Sequence, residues 1–535
     1  MWPQNYTPLN HSLPLSALVA AVPIFVLLFL LGVKRQPAWR SALAGLAAAV
    51  IVAAAAYGMP AGRLAAAAAY GAAFGLWPIG WVVFTAVLLY RVTVESGRFE
   101  LLKDSIARLT SDPRLQVLLI AFAFGAFIEG AAGFGTPVAV AATMLIGLGF
   151  APRYAAGICL LANTAPVAFG SIAIPITTLA ITTGLPVDRL SAGVGRICAP
   201  VSLIIPAYLI LVTSGWRGLR PVLPAVAACG VAFAGMQFAI SNFVGPQLTD
   251  ILSSLSAMGA LVALSSVWRP ADAPPQTRAG PPHAARDLAR AWGPYVLLVV
   301  FVLLWGYQPL QDLLHRTDLP CHWPGLDGTI ERVPPVVAQP SAYPAVYAFG
   351  WLSSSGTACL VAVILSALVV GLSPGRLLRT VGQTARQLAL AELTLAAVLA
   401  MAFVMNYSGA TATLGLAFAA TGAWFPFFSA LLGWLGVFLT GSDTSANALF
   451  GTLQVVTAGQ LGMNPVLMAA ANSAGGVMGK MISLTSIAVA AAATSMKREE
   501  EALLFRFTFK HSLLLASAIG LVVAFYAYVA TAWAP

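Results

Sequence analysis

The stretch Gly125-Ala-Phe-Ile-Glu-Gly-Ala-Ala-Gly-Phe-Gly-Thr-Pro137 places four glycines, a proline and one carboxylate inside a long apolar run. A second interruption follows at Asn163-Thr-Ala-Pro-Val-Ala-Phe-Gly170. These residue types stabilise nothing on a lipid-facing helix. Irregular backbone at membrane depth occurs only where protein buries it or where it lines a cavity. Residues 125–175 are therefore predicted to contribute to a substrate site inside a membrane protein.

The composition of the whole chain agrees with that setting. Of 535 residues, 59% are apolar and 9% are charged, against about 25% charged residues in typical soluble domains. Many apolar runs are long enough to cross a bilayer as a helix. The net charge of +10 lies in short loops, where Lys and Arg set membrane orientation, so it does not indicate a nucleic-acid partner. The predicted fold class is an all-α polytopic membrane protein.

Basic residues between the apolar runs predict how the chain crosses the membrane. Loops rich in Lys and Arg face the cytoplasm, and this rule orders the runs into about 12 crossings plus two hairpins. Both termini and the mixed-charge loop 314–345 are then expected on the periplasmic side. From Arg91 to Arg114, apolar residues at helical spacing predict an amphipathic helix on the cytoplasmic face.

Two apolar stretches, 115–150 and 424–463, are too long for one crossing. Each is interpreted either as two complete spans or as a re-entrant helical hairpin. Each precedes an interrupted span, at 154–184 and 466–495. Pro166 in the first of these removes a backbone donor and clashes with the preceding turn, so the helix is predicted to break there.

The two over-long stretches belong to an internal repeat. Gly125-Ala-Phe-Ile-Glu-Gly130 resembles Gly436-Val-Phe-Leu-Thr-Gly441, 311 positions later. Asn163–Gly170 resembles Asn472–Gly479 at an offset of 309. The predicted topology brings the two hairpins in from opposite faces, so the repeats are inverted. This is the architecture of secondary transporters, whose site lies near the bilayer midplane between discontinuous helices.

The repeat also predicts how the chain is divided. The expected segments are 1–114, with the N-terminal spans and the amphipathic helix; 115–184, the first transport repeat; 185–423, connecting spans with a cytoplasmic linker near 269–290; 424–498, the second, inverted transport repeat; and 499–535, the C-terminal span.

Broken helices have a predictable chemistry. Each new N-terminus leaves about four N–H groups unpaired and carries partial positive charge, which suits a small anion such as a carboxylate. Asn, Ser and Thr near the breaks supply further donors, and small residues leave room for a small ligand. The predicted substrate-binding residues are Gly133, Phe134, Gly135, Thr136, Asn163, Thr164, Ser442, Thr444, Ser445, Asn472, Ser473 and Lys480.

Glu129 and Asp443 lie at or near the two predicted hairpin tips. An ionisable group at the bilayer centre costs about 2.5–3.5 kcal/mol on insertion scales, so each is either a proton-coupling residue or a carboxylate that caps a helix or pairs with a base. Lys480 is expected to bind the substrate carboxylate, to pair with Asp443 or to extend towards the interface. Arg196 and Glu392 are expected to form structural pairs.

The sequence leaves the coupling ion open. A substrate carboxylate is an anion at neutral pH, and moving it inward against a negative interior costs about 2.3 kcal/mol per 100 mV. One co-transported proton removes that penalty, and Glu129 or Asp443 is its candidate carrier. Sodium held by carbonyl and hydroxyl oxygens is a second alternative, and a passive channel or facilitator is a third.

Other functional classes have little support in the sequence. It contains no nucleophile–base pair that indicates an enzyme and no Gly-rich nucleotide-binding motif in a strand–helix setting. Cys321 and His322 offer two candidate ligands, fewer than a structural metal site uses. No cofactor and no metal are therefore predicted.

At these residues the chain resembles the lactate permease family, which includes the glycolate permeases. The resemblance runs over nearly the whole length. It is carried by Trp2–Pro8, Gly75-Leu-Trp-Pro-Ile-Gly-Trp81, Glu129-Gly-Ala-Ala-Gly-Phe-Gly135, Asn163–Gly170, Leu439-Thr-Gly-Ser-Asp-Thr-Ser445 and Phe505-Arg-Phe-Thr-Phe-Lys-His511. Two positions depart from the family pattern. Thr136 replaces a usual alanine, and Ile482-Ser-Leu-Thr-Ser486 lacks the common proline and glutamine.

The resemblance implies proton-coupled uptake of L-lactate, with D-lactate and glycolate as further substrates, across a bacterial inner membrane. The implied partners are lactate and similar small monocarboxylates, protons and the lipid bilayer, with a homodimer as a candidate assembly.

Overall fold

The structure is a computed structural model that describes residues 1–133, 135–273, 284–496 and 498–535. Helix dominates it. The α-helices are Leu13–Leu28, Ala38–Ala55, Ala61–Phe74, Trp81–Glu95, Arg98–Ala107, Pro113–Gln116, Gly125–Ala131, Thr136–Gly147, Pro152–Ala162, Gly170–Thr183, Val187–Leu219, Leu223–Phe243, Thr249–Val267, Ala285–Gly306, Gln308–His315, Ser355–Val369, Pro374–Ser408, Ala410–Phe418, Phe425–Thr440, Asp443–Gln460, Pro465–Lys480, Leu484–Ala493 and Arg498–Tyr528. Short 3₁₀ or π turns are Phe29–Val33, Gly75–Gly80, Val117–Phe124, Val167–Phe169, Arg220–Val222, Ala419–Trp424 and Thr531–Trp533.

Length and composition identify the candidate membrane crossings. In the described residues, 11 helical stretches are long and apolar enough to span a bilayer, or up to 12 if a bent pair counts as one span. That pair is Pro152–Ala162 with Val167–Thr183, bent by 67°. The bend lies where Pro166 predicts a break. The number of crossings is close to the predicted 12.

Five short strands accompany the helices, which the all-α prediction did not include. They are Trp2–Pro3, Leu319–His322, Ile330–Arg332, Ser341–Ala342 and Val346–Phe349. The first runs parallel to Ile330–Arg332, which pairs antiparallel with Ser341–Ala342, and Leu319–His322 pairs antiparallel with Val346–Phe349. All but the first lie in or beside the loop predicted at 314–345. The strands there are so short, and so closely followed by polar residues, that the sequence shows no strand pattern.

Both ends of the chain lie on one face of the molecule. The parallel strand pair ties the N-terminus to the 319–349 region. Gln460 donates a 2.7 Å hydrogen bond to the Pro335 carbonyl in that region, and Asn464 donates to the carbonyl of Pro535. The two termini and this region therefore share one face, as the predicted topology requires.

The opposite face gathers the basic segments. Arg98 forms a 3.0 Å ion pair with Asp287, and Arg114 forms a 2.8 Å pair with Asp272. Since Arg114 donates to the Asp272 carboxylate, it lowers the pKa of that group. The predicted amphipathic helix is present as Arg98–Ala107 and turns its apolar residues Phe99, Leu102 and Ile106 inward. Residues 274–283 of the predicted linker lie outside the described residues.

Several boundaries differ from the predicted ones. Helix Pro374–Ser408 includes the basic residues Arg376, Arg379 and Arg386, which therefore do not lie in a short loop between spans, because the helix continues beyond its apolar part. It ends at Gly409, which has a φ of +91°, and a further helix, Ala410–Phe418, follows. Gln4 donates 2.9 Å hydrogen bonds to the Asn406 and Tyr407 carbonyls in the last turn of Pro374–Ser408.

Small residues let helices touch backbone to backbone. A methyl group at Gly433 would overlap the carbonyl of Asn472, and one at Gly475 would overlap the carbonyl of Ala430. Helices Phe425–Thr440 and Pro465–Lys480 therefore pack at a distance that only glycine permits. Such contacts stabilise helices in lipid, where the hydrophobic effect does not drive association.

Candidate functional site

The main cavity lies where four chain interruptions meet. The first helix pair, Gly125–Ala131 with Thr136–Gly147, and the second helix pair, Phe425–Thr440 with Asp443–Gln460, contribute their turns. The first broken helix, Pro152–Thr183, and the second broken helix, Pro465–Ala493, contribute their breaks. The cavity has a volume of about 230 Å³ and is lined by Glu129, Gly135, Val167, Gly170, Ser171, Ile174, Pro175, Thr440, Gly441, Ser442, Asp443, Thr444, Lys480, Thr485, Ser486 and Val489.

Glu129 forms one wall of the main cavity from the last turn of helix Gly125–Ala131. It is 3% exposed, and its Oε2 accepts a 3.2 Å hydrogen bond from Asn163 Nδ2. A methyl group at Gly170 would lie 2.8 Å from Glu129 Oε1. The glycine at this break therefore lets the carboxylate approach the first broken helix.

The turn of the first helix pair is tied to the same broken helix. Gly133 and Gly135 have φ values of +60° and +78°, a conformation that favours glycine. Ser171 Oγ donates a 3.1 Å hydrogen bond to the Ala132 carbonyl, and a methyl group at Gly133 would overlap Ser171 Oγ. The backbone at Ser171, Ile172 and Ala173 is also left-handed, with φ of 48° to 59°. That conformation costs about 1–2 kcal/mol per residue, so surrounding contacts must hold it.

Asp443 forms the facing wall from the first turn of helix Asp443–Gln460. It is 2% exposed. Its Oδ2 accepts hydrogen bonds from Ser473 Oγ at 2.6 Å and Asn447 Nδ2 at 3.4 Å. Ser442 caps this helix, since its Oγ accepts from the backbone N–H of Ser445.

The second turn repeats the geometry of the first. Gly441 has a φ of +74°, and a methyl group there would overlap Thr485 Oγ1. Thr485 belongs to the distal half of the second broken helix, as Ser171 belongs to the distal half of the first. In each repeat, a left-handed glycine of the turn therefore packs against a hydroxyl beyond the break.

A buried amide network supports the Asp443 wall from behind. Asn472 Nδ2 donates to Asn447 Oδ1 at 2.9 Å, and Gln454 Nε2 donates to Asn472 Oδ1 at 3.1 Å. Asn447 Nδ2 also donates to Ser473 Oγ at 3.1 Å. Buried amides that satisfy one another hold a single arrangement of side chains. The network therefore fixes Ser473, and through it the Asp443 carboxylate.

Lys480 is the cation of the main cavity. It ends helix Pro465–Lys480 and is half-buried. It has no ion pair within the described part of the chain, and its charge acts on both Glu129 and Asp443. An unpaired ammonium beside two carboxylates can accept an anion that enters the cavity.

Helix N-termini add to the positive character of the site. Gly135, Ser442 and Ser483 are the N-cap residues of three helices that begin at or beside the main cavity. The partial positive charge at each start favours a bound anion. The main cavity therefore combines one side-chain cation and three helix N-termini with two side-chain carboxylates around the same space.

The predicted site residues occupy three kinds of position. Six of them line the main cavity: Glu129, Gly135, Ser442, Asp443, Thr444 and Lys480. Five lie behind its walls as buried supports: Asn163, Thr164, Ser445, Asn472 and Ser473. Gly133 lies in the turn, Thr136 lines a neighbouring cavity, and Phe134 lies outside the described residues.

Sequence reasoning missed part of the lining and its support. The missed lining residues are Val167, Gly170, Ser171, Ile174, Pro175, Thr440, Gly441, Thr485, Ser486 and Val489. Gly170 and Pro175 were visible as helix breakers, and Thr485 and Ser486 were quoted only as departures from a family pattern. Asn447 and Gln454, polar residues within an apolar stretch, were the available signal for the supporting network.

The structure also shows the surroundings of Arg196 and Glu392, which were expected to form structural pairs. Arg196 donates 2.8 Å hydrogen bonds to Asn242 Oδ1 and to the Trp533 carbonyl, a structural role. Glu392 packs against Gly80, and its Oε1 is buried without a hydrogen-bond partner. No ion pair to Glu392 is present among the described residues, contrary to the expected pairing.

Comparison with known proteins decides the family. A family model described as L-lactate permease matches residues 16–530. The chain belongs to the L-lactate permease family. It is 43% identical to the L-lactate permease of Salmonella typhimurium over 99% of both chains. It is also 43% identical to the glycolate permease of Escherichia coli K12 over 99% of both chains.

Among solved structures, the YdaH transporter of Alcanivorax borkumensis aligns at 14% identity over 87% of both chains, with a TM-score of 0.44. That similarity is too low to carry an argument. Family membership and the apolar helices together make the chain a multi-pass membrane protein whose relatives are named as permeases.

Proposed function

We propose that the chain is a proton-coupled symporter that takes up L-lactate and related small 2-hydroxymonocarboxylates, including D-lactate and glycolate. The relatives named as L-lactate and glycolate permeases support the substrate class. One observation supports the coupling: a single cation, Lys480, shares the main cavity with two carboxylates, Glu129 and Asp443.

The charges of the cavity connect proton binding to anion binding. With both carboxylates ionised and Lys480 charged, the cavity carries a net charge of −1 and repels a second anion. Protonation of one carboxylate makes the cavity neutral, and Lys480 with the helix N-termini then attracts the substrate. A proton and the substrate anion therefore bind together. The cavity loaded with both carries a net charge of −1, whichever side-chain carboxylate holds the proton. The empty ionised cavity carries the same charge, so the transport step moves no additional charge.

Glu129 is the proposed proton carrier. It lies in the last turn of its helix, where the helix dipole disfavours a negative charge, whereas Asp443 lies in a first turn, where the dipole favours one. Glu129 also has one side-chain donor and Asp443 has two. Asp443 is therefore proposed to stay ionised and to orient Lys480.

The two repeats are the proposed moving element. Residues 115–184 and 424–498 carry every residue that lines the main cavity. We propose that they are inverted repeats with re-entrant hairpins, and that they move together against the remaining spans, so that the cavity faces each side in turn. The protein is proposed to lie in a bacterial inner membrane, with the face that holds both termini in the periplasm.

Transport in proteoliposomes tests this function. A pH gradient that is acidic outside should drive accumulation of labelled L-lactate without sodium, and a proton ionophore should abolish it. Counterflow of lactate without a gradient should continue, because exchange of loaded carriers needs no net proton movement. Accumulation that survives the ionophore, or that requires sodium, would contradict proton symport. Uptake without counterflow would favour a channel.

A further inference from the structure

Asp250 is a buried carboxylate that the cavity does not use. It lies in the first turn of helix Thr249–Val267 and is 1% exposed. Both of its oxygens are buried without a hydrogen-bond partner among the described residues, and no ion pair reaches it there. An unpaired buried carboxylate is costly in its ionised form, by several kcal/mol, so its presence requires an explanation.

Helix capping does not explain Asp250. An acidic residue in a first turn often accepts from free backbone N–H groups. Here no described N–H donates to either oxygen. No basic residue is available to pair with Asp250 either. On the described elements that pack against its helix, the charged residue is Glu129, which is itself acidic. The packed helix Leu223–Phe243 also carries a buried thiol, Cys229.

Asp250 lies directly beside the proposed proton carrier. A methyl group at Gly130 would lie 2.8 Å from Asp250 Cβ and 3.1 Å from Ile251 Cγ1. Gly130 follows Glu129 in the same helix. Glycine at this position lets the two helices approach, so Asp250 packs against the residue next to Glu129 on a helix in direct contact with its own.

A second space, the polar cavity, is lined in part by residues that immediately precede Asp250 in the chain. It has a volume of about 510 Å³, and its lining includes Asp188, Asn242, Gln308, Gln311 and Ser353, together with Gly245 and Gln247. Thr249 Oγ1 donates a 3.1 Å hydrogen bond to the Gly245 carbonyl. Asp250 does not line this cavity itself, but it follows Gln247 by three positions and lies in the first turn of the helix that Thr249 ties to Gly245.

We infer that Asp250 is a second proton-binding residue of the transport cycle, which receives protons from the polar cavity and delivers them to Glu129. A hydronium ion in the polar cavity gives its proton to the Asp250 carboxylate and becomes water. Asp250 then gives that proton to the Glu129 carboxylate, so that one O–H bond breaks as another forms. This inference rests on the proposed proton symport.

The test separates proton movement from lactate binding. Asp250→Asn keeps the size of the side chain but cannot carry a proton. In proteoliposomes, lactate-driven proton uptake, followed with an internal pH dye, should fall at least tenfold, while lactate counterflow stays within about twofold of the unmodified protein. Asp250→Glu should restore part of the proton uptake. Glu100→Gln, which removes an exposed carboxylate from the surface helix Arg98–Ala107 outside both cavities, is the control and should change neither rate.

Each outcome is decisive. Full proton uptake by Asp250→Asn would overturn the inference but leave proton symport intact. Loss of both proton uptake and counterflow, with no restoration by Asp250→Glu, would make Asp250 a structural residue and would also overturn it. If the unmodified protein moves no protons with lactate, the proposed function itself fails.

Discussion

The two repeats around the main cavity share a backbone plan but differ in how they hold charge. Each has a glycine turn packed against a hydroxyl beyond a helix break, Gly133 with Ser171 and Gly441 with Thr485. Their carboxylates are not equivalent. Glu129 ends a helix and has one amide donor, whereas Asp443 begins a helix and is backed by a buried network. A duplicated scaffold can therefore carry one carboxylate suited to change its charge and another suited to keep it.

Exchanging the carboxylates for amides should produce the largest effect. Glu129→Gln mimics the protonated form, so we expect counterflow to continue while accumulation disappears. With a gradient of one pH unit, one proton per lactate supports about tenfold accumulation, because one unit corresponds to about 1.36 kcal/mol. The variant should reduce this ratio to about one.

Asp443→Asn should differ from Glu129→Gln. It removes the negative charge that is proposed to orient Lys480 and replaces one carboxylate oxygen by an NH2 donor, so both counterflow and accumulation should be lost while the protein still inserts. Parallel flux measurements on the two variants check this. If Asp443→Asn kept counterflow and Glu129→Gln kept accumulation, the assigned roles would be reversed.

Removal of the cavity cation should weaken substrate binding. Lys480→Gln deletes a charged donor, and hydrogen bonds to charged groups contribute about 1.5–3 kcal/mol. We therefore expect the KM for L-lactate to rise roughly 10- to 100-fold in uptake assays. Lys510→Gln, outside the cavity, provides the control. An unchanged KM in Lys480→Gln would remove Lys480 from substrate binding.

The glycine turns should respond alike in both repeats. Gly133→Ala and Gly441→Ala each force a side chain into a left-handed backbone, at about 1–2 kcal/mol, and into overlap with a hydroxyl. Both variants should have a lower Tm in detergent and reduced transport. Gly147→Ala, where an added methyl group meets open space, should have little effect. A loss confined to one turn would show that the repeats are not mechanically equivalent.

The smallest effects should come from the supporting amides. Asn447→Ala leaves Asn472, Ser473 and Asp443 short of partners, at about 1–3 kcal/mol for each unsatisfied group, whereas Asn163→Ala removes one donor from Glu129. We expect thermal stability to fall more for Asn447→Ala. Asn163→Ala should instead change the pH dependence of uptake. Equal losses of stability would contradict the difference in support between the two walls.

Several features of the fold and of the candidate site were predictable from the sequence. The apolar runs, the helix break at Pro166 and the basic loops follow from local chemistry, because a bilayer requires long apolar helices and proline cannot continue one. The resemblance to the lactate permease family is confirmed over nearly the whole chain. The inverted orientation of the repeats and the roles of the site residues stay predictions.

The sequence by itself determined the fold class, the places where helices break and the six predicted residues that line the main cavity, because those signals lie in short stretches of chain. Only the tertiary structure decided that Ser171 and Thr485 pack against the glycine turns, that Asn447 and Gln454 stand behind Asp443, and that Asp250 lies against Gly130. The glycine contacts join residues 38 to 120 positions apart in the chain, and Asn447 and Gln454 act through Ser473 and Asn472 of a separate helix. No local pattern encodes which helix faces which.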